Sequence, residues 1–297
     1  MFSENGKKTF INGETKLVGL FGDPVSHSFS PAMHNAAFRE KDLNLCYLPF
    51  QVRKDDLPGA VRAIAYLDFK GVNVTAPHKE AVIPYLDELS PEASFLKAVN
   101  TIKNEEGRLI GYNTDVAGFL YLLQNNLGND FQLKEGLLLG AGGAARAVSL
   151  SLAKAGLKSL VIANRTLARA EELAALLIQG GIFKDGKIKI VKLEKNFIKE
   201  SIGSNESISL LINALSDDPV ELGFLAEQNL QGCSAAIDLR YSPSHTPFGK
   251  WSEKKGFLTI NGLDMLLGQG VKAFEIFTGA EAPLQIMKKA LQNTLKL

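Results

Sequence analysis

The chain has 297 residues, enough for about two domains, and its 33 Lys and Arg against 32 Asp and Glu give a net charge of +1. A nucleic-acid-binding protein needs a basic surface that neutralises phosphates, so this balance argues against that class and against a polybasic membrane-surface protein. Apolar residues make up 45% of the chain and charged residues 22%, which is typical of globular proteins rather than disordered ones.

The cysteines and the apolar runs bear on location. Cys46 and Cys233 are far apart in the chain, which argues against a disulfide scaffold or a cysteine-based zinc site and fits a reducing compartment. The first 16 residues lack the apolar core of a secretory signal, and no run approaches 18 apolar residues. We therefore expect a cytoplasmic protein that does not associate with membranes.

Short apolar runs alternate with helical patterns along the first part of the chain, which is typical of an α/β fold. The runs predict strands at 17–21, 44–50 and 71–75 and a helix at 32–40. Because helix-length segments separate these strands, we expect them to be parallel and joined by crossovers.

A second α/β series begins near Gly136. Strands are predicted at 136–139, 159–163, 187–192, 209–214 and 235–239, and helices at 144–155 and 167–179. The segment 180–186 is expected to be a surface connection and the polar stretch 196–207 to be loosely ordered.

The last segment predicts two helices, at 263–277 and 282–295, in which apolar residues recur every three or four positions. Two helices with no strand between them cannot extend the second sheet. We therefore expect residues 1–114 to form one domain, 115–261 to form a second, inserted domain, and 262–297 to return to the first.

A glycine-rich turn, GAGGAA at 140–145, follows a predicted strand and opens a predicted helix. This context matches the dinucleotide-binding pattern G-x-G-x-x-G/A. Gly140 would permit a tight turn, Gly142 would let a pyrophosphate approach the backbone, and Ala145 would allow close packing of helix on sheet. The predicted cofactor contacts are Gly140, Ala141, Gly142, Gly143 and Ala144, and the alternative is a purely structural glycine turn.

The end of the next strand indicates which dinucleotide binds. An NAD site needs an acidic residue there to bind the ribose 2′-hydroxyl, whereas this chain has Asn164, Arg165 and Thr166, then Arg169. Two guanidiniums favour the 2′-phosphate of NADP. The alternative for Arg169 is a solvated helix residue.

Four segments of the first domain, 26–31, 73–79, 99–101 and 111–115, place hydroxyl and amide side chains at predicted strand ends or turns. Such uncharged groups suit a polyol ring. The ionisable side chains suited to proton transfer there are Lys79, Asp115, His27 and His78.

The segment 73–79 carries the most specific local expectations. Asn73 and Thr75 alternate along one strand, so both can face one ligand. We expect Pro77 to begin a helix with Lys79 in its first turn, where a cation opposes the helix dipole, and such a violation of local rules is typical of functional sites. The alternative for Lys79 is a solvated surface charge, and Ser28 and Ser30 could instead be N-caps of the helix after Pro31.

Together these segments resemble the shikimate dehydrogenase family. The matching stretches occur in family order: GDPVSHSFSP at 22–31, GVNVTAPHK at 71–79, AVNT at 98–101, GYNTD at 111–115, GAGGAA at 140–145, NRT at 164–166 and NGLDMLLGQ at 261–269. They extend over most of the chain.

The resemblance implies a mostly parallel α/β substrate domain, with one antiparallel strand, and a Rossmann-type NADP-binding domain. It implies reversible, NADP-linked reduction of 3-dehydroshikimate to shikimate, in the route to chorismate and aromatic amino acids, with no catalytic metal. The residues that it places around the substrate are Ser28, Ser30, Asn73, Thr75, Asn100, Asp115, Tyr241 and Gln269.

Within this set the resemblance implies Lys79 and Asp115 as the catalytic pair, and it adds Gly262 to the cofactor contacts. A cation beside the ketone can stabilise the developing oxyanion and give it a proton, while a carboxylate keeps the ammonium oriented and charged. The chain departs from the family at Leu215, where a small or hydroxyl residue is commoner, and at His78, where an apolar aromatic is common.

Two alternatives remain at this point. A quinate or dual quinate/shikimate dehydrogenase often has Thr in place of Ser30, so Ser30 and the NADP-type segment 164–166 favour shikimate. A non-catalytic sensor on the same fold tends to lose the Lys/Asp pair, which this chain retains. We expect a small-molecule substrate and no nucleic-acid partner, and a monomer and a homodimer remain equally open.

Overall fold

A computed structural model describes residues 11–128, 131–184, 186–195, 208–220, 223–225, 230, 232–241 and 246–295. The chain divides into two compact units. The first comprises the described residues up to Thr114 and those from Leu266 onward, and the second runs from Asp115 to Met265. The chain thus returns to the first unit at Leu266, four residues after the predicted boundary at residue 262. The polar stretch 196–207, expected to be loosely ordered, lies outside the described residues.

The first unit contains a six-stranded sheet in the order β2-β1-β3-β5-β6-β4. Its strands are β1 (Lys16–Gly22), β2 (Leu45–Gln51), β3 (Gly71–Val74), β4 (Glu88–Leu89), β5 (Thr101–Glu105) and β6 (Arg108–Tyr112). β1 is parallel to β2 and β3, as the helix-length separations predict. β5 is antiparallel to both β3 and β6, and β4 is parallel to β6. The mostly parallel sheet with one antiparallel strand, β5, is confirmed for the described strands.

The described helices, numbered in chain order, are α1 (Ser30–Glu40), α2 (Leu57–Tyr66), α3 (Pro91–Leu96), α4 (Asp115–Asn126), α5 (Gly143–Lys154), α6 (Leu167–Gln179), α7 (Pro247–Lys254), α8 (Leu263–Thr278) and α9 (Leu284–Leu295). Short 3-10 helices lie at Lys54–Asp56 and Ile83–Tyr85. Within the described parts of the chain, no helix has both the length and the apolar character needed to cross a membrane.

The second unit contains a six-stranded sheet in the order β12-β11-β10-β7-β8-β9. Its strands are β7 (Glu135–Leu139), β8 (Ser159–Asn164), β9 (Ile188–Lys192), β10 (Ile208–Asn213), β11 (Ala235–Asp238) and β12 (Leu258–Asn261). Every described pairing is parallel. This is the strand order of a Rossmann fold, which places its ligand crevice at the carboxyl ends of β7 and β10, where the order reverses.

Both faces of the second sheet are buried. Leu138, Ile162 and Ile212 belong to one apolar cluster, and their neighbours Leu137 and Leu211 belong to another. Because alternate residues of a strand point to opposite faces, helices must cover both sides, which explains why these strands are continuous apolar runs.

The two C-terminal helices, α8 from Leu266 onward and α9, pack in the first unit. The rings of Phe38 on α1 and Phe274 on α8 stack with centroids 5.6 Å apart, and Phe277 lies 6.3 Å from the ring of His34. α9 packs on α1 and buries Met287 and Leu291. The apolar residues that recur every three or four positions in the sequence therefore form the face by which these helices pack in the first unit.

Candidate active site

The glycine turn lies at the carboxyl end of β7. Gly140 has φ +110°, a value that favours glycine, and its N–H donates to the Ala163 carbonyl at 2.8 Å. A Cβ at Gly140 would lie 3.1 Å from the carbonyl oxygen of Ala214. The first glycine is therefore required both by the backbone conformation and by the close approach of the segment after β10.

The second glycine leaves room beside the start of α5. Gly142 is the N-cap residue and contributes no side-chain cap, and a Cβ placed there would meet nothing within 4 Å. The first N–H groups of a helix lack intrahelical partners and carry partial positive charge, so they bind phosphates well. With Gly143 and Ala144 half-buried and Ala145 buried in the core, this turn fits the pyrophosphate of a dinucleotide.

The residues after β8 form a charged edge. The Asn164 side chain is buried and its Nδ2 donates to the Thr166 carbonyl at 2.8 Å, which fixes the turn. Arg165, Thr166 and Arg169 are exposed. The Arg165 Nη2 lies 3.3 Å from Oδ2 of Asp217, a carboxylate that sequence reasoning did not single out. The feature of the sequence that could have identified Asp217 is its position shortly after β10, at the sheet edge where ligands bind in this fold.

Gly262 has a structural role besides the expected cofactor role. A Cβ at this position would lie 2.0 Å from the carbonyl oxygen of Leu239. The Gly262 N–H donates to the Arg240 carbonyl at 3.2 Å. Only glycine fits against the segment that follows β11.

Tyr241 follows that segment directly and is half-buried, and its burial raises the pKa of its phenol. The preceding residue, Arg240, is held by two buried carboxylates: its Nη2 lies 2.9 Å from Asp238 Oδ2 and 2.5 Å from Asp218 Oδ2. Burial opposes the charged form of Asp218, but hydrogen bonds from Arg240 and from the Val220 and Phe248 amides place its pKa below the ordinary value. The backbone beside Tyr241 is thereby anchored.

In the first unit, Asn73 is buried on β3 within a hydrogen-bond network. The Tyr47 hydroxyl donates to Asn73 Oδ1 at 2.9 Å, and Asn73 Nδ2 donates to Thr101 Oγ1 at 3.0 Å and to the Asn100 carbonyl at 3.2 Å. The side-chain amide therefore has a fixed orientation.

Asn100 joins this network to the last residues of the unit. Its Oδ1 accepts from the Thr114 amide at 2.7 Å, and its Nδ2 donates to Thr114 Oγ1 at 3.0 Å. Asp115 follows directly as the buried first residue of α4. The structure thus brings the predicted residues Asn73 and Asn100 together through Thr101 and Thr114, whose part in the network sequence reasoning missed although both lie in the quoted motifs.

Lys79 does not lie in a helix, and this expectation was wrong. The peptide bond between Ala76 and Pro77 is cis, and the chain passes through turns before the 3-10 helix Ile83–Tyr85. Because Pro84 has no N–H to bond to an earlier carbonyl, an α-helix that began at Pro77 would be interrupted within two turns. Lys79 is half-buried, and its carbonyl accepts from the Val99 amide at 2.8 Å.

His78 anchors the segment before Lys79. Its ring is buried, and its Nε2 lies 2.6 Å from the Val52 carbonyl. The residue by which the chain departs from the family at this position therefore fixes the backbone next to Lys79. Thr75 is half-buried just beyond the end of β3, and its amide donates to the Phe21 carbonyl at 2.9 Å.

Ser28 and Ser30 lie at the start of α1, which begins two residues earlier than predicted. Ser30 is the first helical residue and buried, and the N-cap residue, Phe29, makes no side-chain cap. The alternative in which Ser28 or Ser30 is the N-cap residue is therefore wrong, although Ser28 Oγ accepts from the Ser30 amide at 3.2 Å. Gln269 is half-buried on α8, and its Nε2 donates to the Leu266 carbonyl at 2.9 Å.

Tyr47 donates a hydrogen bond to Asn73, and His34 packs against Tyr47. Neither residue was predicted from the sequence. Their rings stack with centroids 4.6 Å apart at an angle of 2°. His34 is fully buried, and this burial lowers its pKa to about 3, so the imidazole is neutral at physiological pH. No local pattern signals the contact between Tyr47 and Asn73, which are 26 residues apart.

Among the described residues, no group of three or more His, Cys, Asp or Glu side chains is placed to hold a metal ion. The polar groups of segments 26–31, 73–79, 99–101 and 111–115 are instead amides, hydroxyls, Lys79, Asp115 and the histidines His27 and His78. Such groups can bind a polyol by hydrogen bonds and move a proton.

Comparisons with known proteins agree with this interpretation of the sites. Residues 20–102 match the shikimate dehydrogenase substrate binding domain, residues 122–200 match shikimate / quinate 5-dehydrogenase, and residues 262–292 match the shikimate 5'-dehydrogenase C-terminal domain. A relative from Carboxydothermus hydrogenoformans, named shikimate dehydrogenase (NADP(+)), is 46% identical over 293 residues, which cover 95% of this chain and 98% of the relative.

Two solved structures share the fold over nearly the whole chain. A shikimate dehydrogenase in complex with NADP+ is 38% identical with a TM-score of 0.81, covering 96% of this chain and 98% of its own. The Thermus thermophilus shikimate 5-dehydrogenase in complex with NADP(H) and shikimate is 36% identical with a TM-score of 0.76, covering 94% and 100%. This chain therefore belongs to the shikimate dehydrogenase family.

Proposed function

We propose that the protein is an NADP-dependent shikimate dehydrogenase, which reversibly reduces 3-dehydroshikimate to shikimate in the route to chorismate. The observation that carries this is similarity along the whole chain: the relative named for this activity is 46% identical over 95% of the chain. The motifs of both units are retained with it, including the Lys79 and Asp115 pair.

The residues of the first unit would bind the substrate. Asn73 and Asn100 present amides whose orientation is fixed before any ligand binds, because each is held by two or more hydrogen bonds. Ser28, Ser30, Thr75 and Gln269 of the same unit, with Asp115 and Tyr241 of the second unit, complete the proposed set. Uncharged donors and acceptors of this kind match the hydroxyls of a polyol ring.

The proposed catalytic pair is Lys79 and Asp115. NADPH, when bound, would supply the hydride that reduces the ring ketone. The Lys79 ammonium would stabilise the negative charge on the ketone oxygen and donate a proton to it, and Asp115 would hold that ammonium oriented and charged. In the reverse direction the Lys79 amine would accept the proton from the hydroxyl.

The proposed cofactor site uses the glycine turn and the edge after β8. The open space at Gly142 beside the α5 N-terminus would hold the pyrophosphate. Arg165 and Arg169 would bind the 2′-phosphate, with Asn164 and Thr166 shaping the turn. A carboxylate at this strand end would favour NAD, and the chain has none within 164–166.

A direct test is initial-rate measurement with shikimate and with quinate, each with NADP+ and with NAD+. We expect shikimate with NADP+ to give the highest kcat/KM. Equal or higher efficiency with quinate would favour a quinate or dual enzyme, and no turnover of either substrate would favour the non-catalytic sensor.

A cytoplasmic location, and either a monomer or a homodimer, stay predictions.

A further inference from the structure

We propose that Asp217 is a specificity-determining residue of the cofactor site. Its carboxylate is an internal counter-ion for Arg165, the residue proposed to bind the 2′-phosphate, and thereby it limits the preference for NADP over NAD. This inference rests on the proposed role of Arg165 and adds a residue that opposes it.

The two side chains meet across the glycine turn. Arg165 directly follows β8, and Asp217 lies four residues beyond the end of β10. β7 lies between these two strands, and its carboxyl end carries the turn. The Arg165 Nη2 and Asp217 Oδ2, 3.3 Å apart, therefore join the strand ends on either side of the proposed phosphate site.

Asp217 is held in this position by its neighbour. The Asp218 side chain is 1% exposed, its Oδ1 accepts from the Val220 amide at 2.9 Å, and its Oδ2 accepts from the Phe248 amide at 3.1 Å and from Arg240. These bonds fix the backbone of the loop after β10. With Asp218 turned inward, the adjacent Asp217 side chain is 54% exposed and faces Arg165.

The other partner also stands on a fixed turn. The buried Asn164 amide donates to the Thr166 carbonyl at 2.8 Å, one residue to either side of Arg165. Leu193 donates its N–H to the Asn164 carbonyl at 3.1 Å. Both charged groups therefore extend from anchored backbone, and their contact follows from the geometry of the two loops.

The pair has opposite consequences for the two cofactors. A 2′-phosphate bound to Arg165 would compete with Asp217 for the guanidinium and would be repelled by the carboxylate. A 2′-hydroxyl carries no charge and would meet neither penalty. Because both partners are about half exposed, the expected effect is that of a surface ion pair, ~2–5-fold in affinity.

The test is calorimetric binding of adenosine 2′,5′-bisphosphate and adenosine 5′-monophosphate to the full chain, which needs no turnover. Asp217→Asn should bind the bisphosphate ~2–5-fold more tightly than the wild type, with 5′-monophosphate binding unchanged. The gain should shrink at high salt, because salt screens exposed charges. The matched control is Glu253→Gln, which removes the same charge from an exposed position near the end of α7 and should change neither affinity.

Unchanged or weaker bisphosphate binding by Asp217→Asn would overturn the inference, as would an equal gain in Glu253→Gln. Failure of the underlying proposal looks different. If Arg165→Ala binds the bisphosphate as well as the wild type does, Arg165 is not the 2′-phosphate ligand, whatever Asp217→Asn shows.

Discussion

The proposed substrate-binding network of the first unit (Asn73, Asn100, Thr101 and Thr114) and the proposed cofactor-binding edge of the second (the glycine turn and Arg165) differ in how they present polar groups. In the first, Asn73 and Asn100 are buried and hydrogen-bonded to neutral neighbours, and the histidine beneath them is uncharged. In the second, the glycine turn offers backbone N–H groups and open space, and the Arg165 side chain is 55% exposed.

Because of this difference, the two regions respond to substitution in different ways. A buried polar network is oriented before the ligand arrives, but removal of one partner leaves another buried group unsatisfied. Substitutions at an exposed charged edge have little effect on the stability of the fold. They mainly change ligand affinity, which there depends markedly on salt. Substitutions in the buried network should therefore change catalysis or stability, whereas substitutions at the exposed edge should change cofactor binding.

The largest effect is expected for Lys79→Ala. Loss of the proposed proton donor should lower kcat by roughly 10²–10⁴-fold, the usual range for a general acid–base group, while the KM for shikimate moves much less. Steady-state kinetics measure both. Lys54→Ala, an exposed lysine of the same unit, should leave kcat unchanged. A steep rise in KM at constant kcat would instead make Lys79 a binding group.

Two glycines of the second unit should give opposite results. Gly262→Ala places a methyl group 2.0 Å from the Leu239 carbonyl oxygen, and the forced backbone shift should lower the free energy of unfolding by about 3 kcal/mol. In Gly142→Ala the added methyl group meets nothing within 4 Å, so the free energy of unfolding should fall by no more than about 1 kcal/mol, the cost of Ala at an N-cap. The methyl group should weaken NADP+ binding because it occupies the space proposed for the pyrophosphate.

Denaturant unfolding and calorimetric NADP+ titration distinguish the two glycine variants. Equal stability of both would show that the close approach at Gly262 relaxes at little cost. Unchanged NADP+ affinity in Gly142→Ala would argue that the turn is only structural.

The buried imidazole of His34 should make stability depend on pH. Its pKa is about 3 in the folded chain against 6.5 for the exposed side chain. Below pH 6.5 the unfolded chain therefore binds a proton that the folded chain does not, and stability falls as the pH is lowered. From pH 7 to pH 5 the loss from this group is about 2 kcal/mol.

Urea unfolding of the wild type and of His34→Phe at pH 7 and pH 5 measures this term. The variant should lose about 2 kcal/mol less than the wild type over this range, while His27→Gln, an exposed histidine of the same unit, should behave as the wild type. The same pH dependence in His34→Phe would assign it to other groups.

The two sides also differ in how far sequence alone could predict them. The glycine turn and the segment 164–166 are local: strand, turn and helix follow one another, so their geometry could be predicted from spacing. The elements that were not predicted include β12, a four-residue strand with exposed positions that carries no clear period.

The substrate side depends on contacts between distant residues. Tyr47 meets Asn73 across 26 residues, and Asn100 meets Thr114 across 14, so no local pattern could reveal which amides are fixed. Local pattern singled out Asn73 and the segment 99–101 as polar groups, the resemblance assigned Asn73 and Asn100 to the substrate, and neither identified Tyr47. The local argument for Lys79 failed because Pro77 was read as a helix start, whereas the chain turns there and Pro84 prevents a longer helix.

The proposed role of the exposed edge in cofactor binding is tested by kcat/KM with NADP+ and with NAD+ for the wild type and for Arg165→Ala. We expect a preference for NADP+ of roughly 10–10²-fold in the wild type, because charged hydrogen bonds to the 2′-phosphate are weakened by exposure. Arg165→Ala should lose most of it, with NAD+ turnover nearly unchanged, and Arg62→Ala, an exposed arginine of the first unit, should retain it. Equal efficiency with both cofactors in the wild type, or an equal loss with both in Arg165→Ala, would contradict the account.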